Sequence, residues 1–413
     1  MNHPGENKPK EIKDHRQIGQ EQDLFVLSDL VGSGLPLFTP KGTVLRRIIE
    51  EYMFDLLEKY DYDHVWIPHI AKKGLYEISG HLEKFGEDMF PEMDAKGRKY
   101  ILKAMNCPHH IQIFARHPIS YREMPQRYAE TTTVYRSEQS GELGGLTRVL
   151  SITQDDAHVF CRKDQVETEF KKAIDINKQM LKDFRFNEYW IRLSLWDKNK
   201  KEKYLGNEKI WEEMQNLMRK ILTETKTPFK EAAGEAAFYG PKMDLMVIDS
   251  HKREWQLSTI QLDFNLPERF NISYVSEDGT NVHPHMIHRA TLGAVERFLG
   301  IYLEHLQGNF PVWLSPVQVC LLPIADRHAE YARKVAKQLK EQGIRMEIDN
   351  RQETLQAKIR NATLQKIPYL GIMGDKEIES EKIAVRTRDG KDLGPLKISD
   401  FLQKLKEQID KKI

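Results

Sequence analysis

Two arginines and a glutamate are set close together in the stretch TTTVYRSEQSGELGGLTRVLSITQDDAHVF, residues 131–160. Strand-like runs flank a polar, glycine-rich turn, so a hairpin would bring Arg136, Glu138 and Arg148 near one another. Guanidinium groups clamp phosphates through a planar fork of donors, and a carboxylate accepts from an exocyclic amine, so the trio suits a nucleotide. Taken singly, each arginine would pass for a surface residue. Arg297 adds a further charge. The stretch HRATLGAVERFLG (288–300) runs from an alternating segment through small residues into a helix that carries Arg297 near its first turn. Small residues there let another group come close to the backbone.

A second chemistry is raised by KAMNCPHHIQIF (103–114), which sets Cys107 beside His109 and His110. Cys107 is open to three readings: a packed thiol, half of a disulfide, or a metal ligand. The three cysteines, Cys107, Cys161 and Cys320, are odd in number and far apart. That argues against a disulfide framework and for reduced thiols in a cytoplasmic protein. Between the remaining readings, residue type alone favours the packed thiol. His109 and His110 follow Pro108 on a helix that starts there, and are read as structural or surface residues pointing elsewhere. Cys161 and Cys320 are read as packed thiols.

These residues need a scaffold. The chain has 413 residues, 40% apolar and 30% charged, enough for two or three domains with cores of their own. Its formal net charge is only +1, so any RNA-binding surface must be a local patch. No run approaches about 18 consecutive apolar residues, which argues against a membrane span. The polar start MNHPGENKPKEIK argues against a signal peptide. Residues 1–20 read as a loose, charged lead-in. TVLRRIIEEYMFDLLEKY (43–60) has helical apolar spacing, and HVWIPHI reads as a short strand with Pro68 at an edge or interface.

From about 100 to 300, strand-like segments dominate: 132–137, 147–153, 155–161, 189–195, 242–248, 254–264 and 285–292. Helical patterns stand near 164–183 and 208–222. Few crossover helices join the strands, so an antiparallel sheet flanked by helices is expected, an α+β catalytic portion over 21–308. After LQGNFPVWLSP the runs VQVCLLPI, IRMEID and YLGIMG alternate with helical patterns at 326–341, 354–367 and 397–411. A smaller α/β domain over 309–413 follows from that rhythm.

The segment ending at Pro68, the YRSE…GLTR hairpin and GAVERF resemble the three signature motifs of class II aminoacyl-tRNA synthetases. MNCPHH, TQDDAHVF, FYGPKMD, QLDFNLPERF and MIHRA are similar in order and spacing to the threonyl-tRNA synthetase family within that class. The likeness covers roughly residues 14–408. It implies a class II antiparallel core followed by an anticodon-binding domain, acting as an ATP-dependent threonine–tRNA ligase. It also implies a cytoplasmic homodimer, packed at a twofold interface around Pro68.

In that family a cysteine and two histidines hold zinc, and they fall here on Cys107, His158 and His288. A set of three protein ligands leaves a coordination position open, as substrate-binding zinc requires. The amine and hydroxyl of threonine would chelate there, and valine has no hydroxyl to offer. The resemblance assigns Arg136 to the α-phosphate and the amino-acid carboxylate, Glu138 to the adenine amine, and Arg148 and Arg297 to the far phosphates with magnesium. Gln256 and Lys242 would lie beside the nucleotide. Gln154, Asp156, Tyr239 and Gln261 would shape the threonine pocket, with Asp156 receiving the ammonium. Strict alternation puts Gln256 and Gln261 on opposite faces of one strand, so both reach the site only past a bulge or bend. Ala294 stands where some relatives carry a small hydroxyl residue.

His81 matches a family histidine proposed to relay a proton during transfer to tRNA, a role its near-neutral intrinsic pKa suits. Arg360, Glu377 and Arg386 match anticodon-contacting positions, and Gln352 replaces an asparagine common among relatives. The chain begins, at DHRQIG, almost where the catalytic module of larger relatives begins, so a short form without their N-terminal editing region is expected. A prolyl or seryl enzyme is the rival within the class, and a non-catalytic RNA- or partner-binding paralogue the rival outside it. The Cys107, His158 and His288 set argues against prolyl, and the intact arginines against the paralogue.

Overall fold

The structure, a computed structural model, describes residues 12–413. The expected lead-in therefore lies partly outside the described residues, and its remainder is not loose. Asp14 caps a helix, His15–Glu21, accepting from the amides of Arg16 and Gln17. His15 donates its amide to Glu304 Oε1 at 3.0 Å, and Gln22 Nε2 donates to the Gly308 carbonyl at 2.9 Å. By contact density the chain forms two compact units. One holds residues 29–35 and 50–301, and the other joins the N-terminal stretches to 28 and 36–49 with 302–413. The division thus departs from chain order, because the capped helix and its neighbours are bonded to the 302–308 region rather than left free.

The first unit is built on an eight-stranded sheet. Its strands are β1 (Asp63–His64), β2 (Gln126–Tyr135), β3 (Ser151–Cys161), β4 (Tyr189–Leu195), β5 (Phe229–Ala233), β6 (Lys242–Ile248), β7 (Glu254–Asp263) and β8 (His285–Ala294). They run in the order β5-β4-β6-β7-β8-β3-β2-β1. The six central strands pair antiparallel, and only the edge strands β5 and β1 pair parallel. The helix Val166–Asp183 carries Glu167 and Glu169 in its first turn and Lys182 in its last, as the helix dipole favours. It buries Phe170, Ala173, Ile174 and Met180 along one side. The helix Glu208–Glu224 starts where Asn207 Oδ1 accepts the Ile210 amide at 3.1 Å.

Two strand expectations are corrected. The segments 147–153 and 155–161 are largely one strand, β3, which begins at Ser151. HVWIPHI is not itself a strand, because only Asp63–His64 and Ile70–Lys72 pair around it. Pro68 has no amide to give, and the Ile67 amide goes to the Glu130 carboxylate at 3.0 Å instead of to a backbone carbonyl.

Two irregularities in the sheet aim side chains. Asp244 pairs with Thr259 and Met246 with Gln256, so two steps on β6 meet three on β7. Further along, Ala290 pairs with Asp156 and Ala294 with Gln154, so β8 carries extra residues opposite β3. Asp155 holds that second irregularity in place. Its carboxylate accepts the amides of Thr291 and Leu292 at 2.8 and 2.9 Å. Gly293 within it has φ +73°, and a Cβ there would lie 2.4 Å from the Leu257 carbonyl oxygen. The group that approaches these small residues is the neighbouring strand's own backbone.

The second unit carries a five-stranded sheet of β9 (Val319–Pro323), β10 (Met346–Ile348), β11 (Tyr369–Met373), β12 (Lys382–Thr387) and β13 (Asp392–Lys397), ordered β10-β9-β11-β12-β13. The first three are parallel, as the expected βαβαβ run requires, and an antiparallel hairpin closes one side. Along β9, Val319 and Leu321 pack into one core cluster while Cys320 and Leu322 pack into another. Both faces of that strand are therefore covered. The helix Ala329–Glu341 buries Ala332, Val335, Ala336 and Leu339, an i, i+3, i+4, i+7 stripe. Among the described residues no helix is long and apolar enough to cross a membrane.

Candidate metal and nucleotide site

Asn106 precedes the short helix Cys107–Phe114 and presents Cys107 at its first position, buried with Ile111 and Phe114. Across the sheet, β3 and β8 pair His158 directly with His288. That register puts His158 Nε2 at 3.1 Å from His288 Nδ1. With the Cys107 thiol, these donor atoms lie within 4.8 Å of one another, all buried, and form a group that could hold a metal ion. A buried Cys107 thiol is therefore compatible with either reading, packed thiol or ligand.

The donor set fits a zinc ion. His288 Nε2 is 2.9 Å from Asp263 Oδ2, and His158 Nδ1 is 2.8 Å from His110 Nδ1. Each ring thus has a partner on its far nitrogen and turns its near nitrogen to the other ring, a separation that two zinc–nitrogen bonds of about 2.0–2.1 Å can span. Burial holds His158 well below the usual histidine range, so its ring is neutral. Burial, with Asp156 and Asp263 nearby, pushes the Cys107 thiol up. A cation at this point is what would release its proton.

The cluster opens on a cavity of about 650 Å³. Arg136, Glu138, Arg148, Gln154, Asp156, Tyr239, Gln256, Gln261 and Arg297 all line it. Gln256 and Gln261 both face it because of the extra residue between them on β7. Asp156 Oδ2 accepts from Asn106 Nδ2 at 2.8 Å, and Oδ1 lies 3.9 Å from His158 Nε2. Tyr239 donates its hydroxyl to Gln261 Oε1 and stacks on His288, ring centroids 4.9 Å apart. Gln261 Nε2 in turn donates to Thr259 Oγ1 at 3.2 Å.

At the nucleotide end the hairpin closes as its turn demands, with Gly144 donating to the Arg148 carbonyl at 3.1 Å. Arg148 Nε donates to Glu138 Oε2 at 2.9 Å, and its NH2 group is 3.0 Å from Glu142. Arg136 lies over the Phe85 ring at 5.3 Å, and burial lowers its pKa. Arg297 follows the β8 irregularity on the helix Val295–Leu306. Burial lowers its pKa first and Arg148 second, and its Nε has no partner. The guanidinium groups of Arg136, Arg148 and Arg297, lining one cavity, suit a polyanion.

Some expected residues stand elsewhere. Lys242 does not line the cavity. Its Nζ is 2.9 Å from Asp244 Oδ2, in a buried network where Asp244 also accepts from Gln256 Nε2 at 3.0 Å and Arg192 NH2 at 3.1 Å. His81 is buried beneath the site, with Nδ1 2.7 Å from Ser79 Oγ and Nε2 3.8 Å from Cys107 Sγ. Burial first, then His288 and Arg136, hold its pKa to about 3, not near neutral as its residue type suggests. In the other unit, Arg360 is exposed on the helix Leu355–Leu364. Glu377 Oε2 accepts the Gly374 amide at 2.9 Å, and Arg386 Nε donates to the Gly390 carbonyl at 3.3 Å. Gln352 is exposed.

Sequence reasoning missed Asn106, Asp263, Asp244 and His110. His110 does not point elsewhere. It lies one helical turn after Cys107, and that i, i+3 spacing was the available signal. Asp263 had none as a partner of His288, because the contact is made across the β7–β8 pairing.

Residues 89–306 match the family described as tRNA synthetase class II core domain (G, H, P, S and T), and residues 318–408 match the anticodon binding domain. A threonine–tRNA ligase of Porphyromonas gingivalis is 46% identical over 400 residues, 96% of this chain and 61% of that protein. One from Acidobacterium capsulatum is 46% identical, over 97% of this chain and 59% of its own length. The chain thus spans about three fifths of the length of these curated relatives. The crystal structure of the RNA binding domain of threonyl-tRNA synthetase from Cryptosporidium parvum superposes with a TM-score of 0.91 at 35% identity, covering 96% of this chain and 98% of that one.

Proposed function

Since this chain belongs to the class II tRNA synthetases, in their threonyl branch, we propose that it activates L-threonine with ATP and transfers it to the 3′-terminal adenosine of threonine tRNA. The observation that carries the proposal is the juxtaposition of three donors able to hold a metal with the arginines Arg136, Arg148 and Arg297 in the lining of a single cavity. An amino acid with two chelating groups and a triphosphate would meet there.

Cys107, His158 and His288 would hold zinc, which when bound supplies an open Lewis-acid position for the amine and hydroxyl of threonine. A purely apolar pocket rejects an isostere by only about a hundredfold, whereas a site built to bind the hydroxyl rejects its absence much more strongly. Zinc in this role selects threonine over valine. Asp156, held by Asn106, faces the amino group and accepts a hydrogen bond from it, since only the neutral amine has a lone pair for the metal. Gln154, Tyr239 and Gln261 bound the side chain, Tyr239 being fixed by its hydroxyl bond to Gln261.

In the first step a threonine carboxylate oxygen attacks the α-phosphorus of ATP in line, and the bond to pyrophosphate breaks. Arg136 neutralises the α-phosphate and the carboxylate, while Arg148 and Arg297 take the departing phosphates, where magnesium bound with ATP would supply further positive charge. Glu138 accepts from the adenine amine once ATP draws Arg148 away from it, and Gln256 steadies the nucleotide with Lys242 behind it. In the second step a ribose hydroxyl of the tRNA attacks the acyl carbon and AMP leaves. His81 relays that proton only as a weak, neutral base in these surroundings. Arg360, Glu377 and Arg386 contact the anticodon, where unstacked bases are read on their edges.

The enzyme works as a cytoplasmic homodimer. Trp66 and Ile70 flank Pro68 with 76% and 46% of their surface exposed, an apolar patch that a second copy would cover. ATP–pyrophosphate exchange with each of the twenty amino acids tests the assignment. Threonine must dominate, and exchange driven by proline alone would reject it.

A further inference from the structure

We propose that His110 and Glu130 are positioning residues for the metal. Glu130 fixes the tautomer of His110, and His110 Nδ1 accepts a hydrogen bond from the Nδ1–H of His158, so that His158 Nε2 is left bare toward the cation. The inference rests on the metal reading of Cys107, His158 and His288.

His110 is wholly buried one turn after Cys107, and its ring stands nearly perpendicular to that of His158, at 87°. The two Nδ1 atoms are 2.8 Å apart. At that distance one nitrogen carries a proton and the other accepts it. If the proton belongs to His110, then a neutral His158 carries its own on Nε2, the atom 3.1 Å from His288 Nδ1, and it cannot bind a metal. If it belongs to His158, Nε2 is free. His110, accepting on Nδ1, is then neutral with its one proton on Nε2.

The surroundings of His110 favour the second arrangement. Its Nε2 lies 3.8 Å from Glu130 Oε2, beyond hydrogen-bond distance but within electrostatic reach, and both atoms are buried with no hydrogen-bond partner. Glu130 Oε1 is already engaged by the Ile67 amide at 3.0 Å, so the carboxylate is anchored with its second oxygen toward the ring. On β2 it stands two residues from Tyr128, which pairs with His158 in register. A proton on His110 Nε2 serves this lone acceptor, whereas a bare Nε2 would leave it opposed by a lone pair. Asp263 does the same for His288 in one link, and Glu130 does it for His158 in two.

Zinc affinity by chelator competition on the full chain tests this. His110→Leu removes the acceptor and should weaken zinc binding by about 10- to 100-fold. His110→Asn places an amide oxygen where Nδ1 stood and should restore most of the affinity, while Glu130→Gln should fall between. The visible spectrum of the cobalt-substituted protein should change in His110→Leu and return toward wild type in His110→Asn. Equal zinc affinity in His110→Leu and wild type overturns the proposal, as does an Asn variant no better than Leu. Should the Leu variant not fold, ¹⁵N-histidine spectra of the zinc-loaded wild type decide alone. His110 as its Nε2–H tautomer is expected, and an Nδ1–H tautomer or an imidazolium overturns it. A wild-type chain that binds no zinc overturns the metal reading together with this one. Bound zinc that ignores His110 removes only the positioning role.

Discussion

Asp263 Oδ2 stands 2.9 Å from His288 Nε2, and that contact decides which nitrogen of the ring is left for a cation. Asp263 is itself tied down, its other oxygen accepting the amides of Asn265 and Leu266 at 2.8 and 2.9 Å. The carboxylate cannot follow the ring if it turns, so His288 presents Nδ1 to the cavity in one orientation.

Metal removal should therefore be selective. Strong chelation, or Cys107→Ser, should abolish threonine-dependent exchange while leaving ATP affinity within a few-fold of wild type, because arginines and not the metal cluster line the nucleotide end. Elemental analysis and equilibrium ATP binding check this. Fully active protein free of zinc would reject the metal assignment.

Arg297→Ala should slow adenylate formation by about 10²-fold, as removal of one charge-stabilising donor commonly does. Thermal unfolding should change little, since the Arg297 Nε has no partner to lose. An unaltered exchange rate would show that this arginine serves no phosphate.

Serine should be activated, at about 10- to 200-fold lower efficiency than threonine. It offers the same amine and hydroxyl for chelation and lacks only a methyl. Exchange assays with purified serine measure the ratio, and discrimination beyond about 10⁴ would mean that the pocket senses more than the methyl.

Gly293→Ala should destabilise the fold by about 2–4 kcal/mol, by forcing a side chain into a left-handed conformation and against a strand carbonyl. Denaturant unfolding reads this directly. A loss below about 0.5 kcal/mol, the level of an ordinary surface change, would mean the strand gives way freely.

Exposed charges of the smaller unit should matter only to RNA. Replacing Arg360 and Arg386 together by alanine should raise the KM for tRNA by about tenfold or more, as loss of contacts worth about 1–3 kcal/mol would. Pyrophosphate exchange should be unaffected, and an unchanged KM would remove both from the interface.

The regular strands and helices were legible because their apolar periods are long and uninterrupted, as in β4, β6 and the helix Val166–Asp183. The expectation of a bulge between Gln256 and Gln261 was also met, since two side chains wanted on one face left no other geometry. Cys107, His158 and His288 were joined by resemblance alone, because the strands that unite them are far apart in sequence. His110 reads as a structural or surface residue in the sequence because its partner His158 lies 48 positions away, on another element. His81 misled by residue type, as its pKa belongs to its burial and not to imidazole. HVWIPHI looked like a strand because its apolar residues are in place, but the carboxylate that replaces its backbone partner comes from Glu130, on another strand.

The extra residue in β7 makes the bulge and the spacing of the two glutamines a single coupled choice. Deleting Leu257 would preserve both glutamines and regularise the pairing with β6, a change that substitution tables would score as mild. It would also leave Gln256 and Gln261 four steps apart, and plain alternation then keeps both on the cavity face. Alignments of such chains carry information in their gap positions here, and a one-residue gap between the two glutamines would mark a chain that has lost the bulge and kept the cavity.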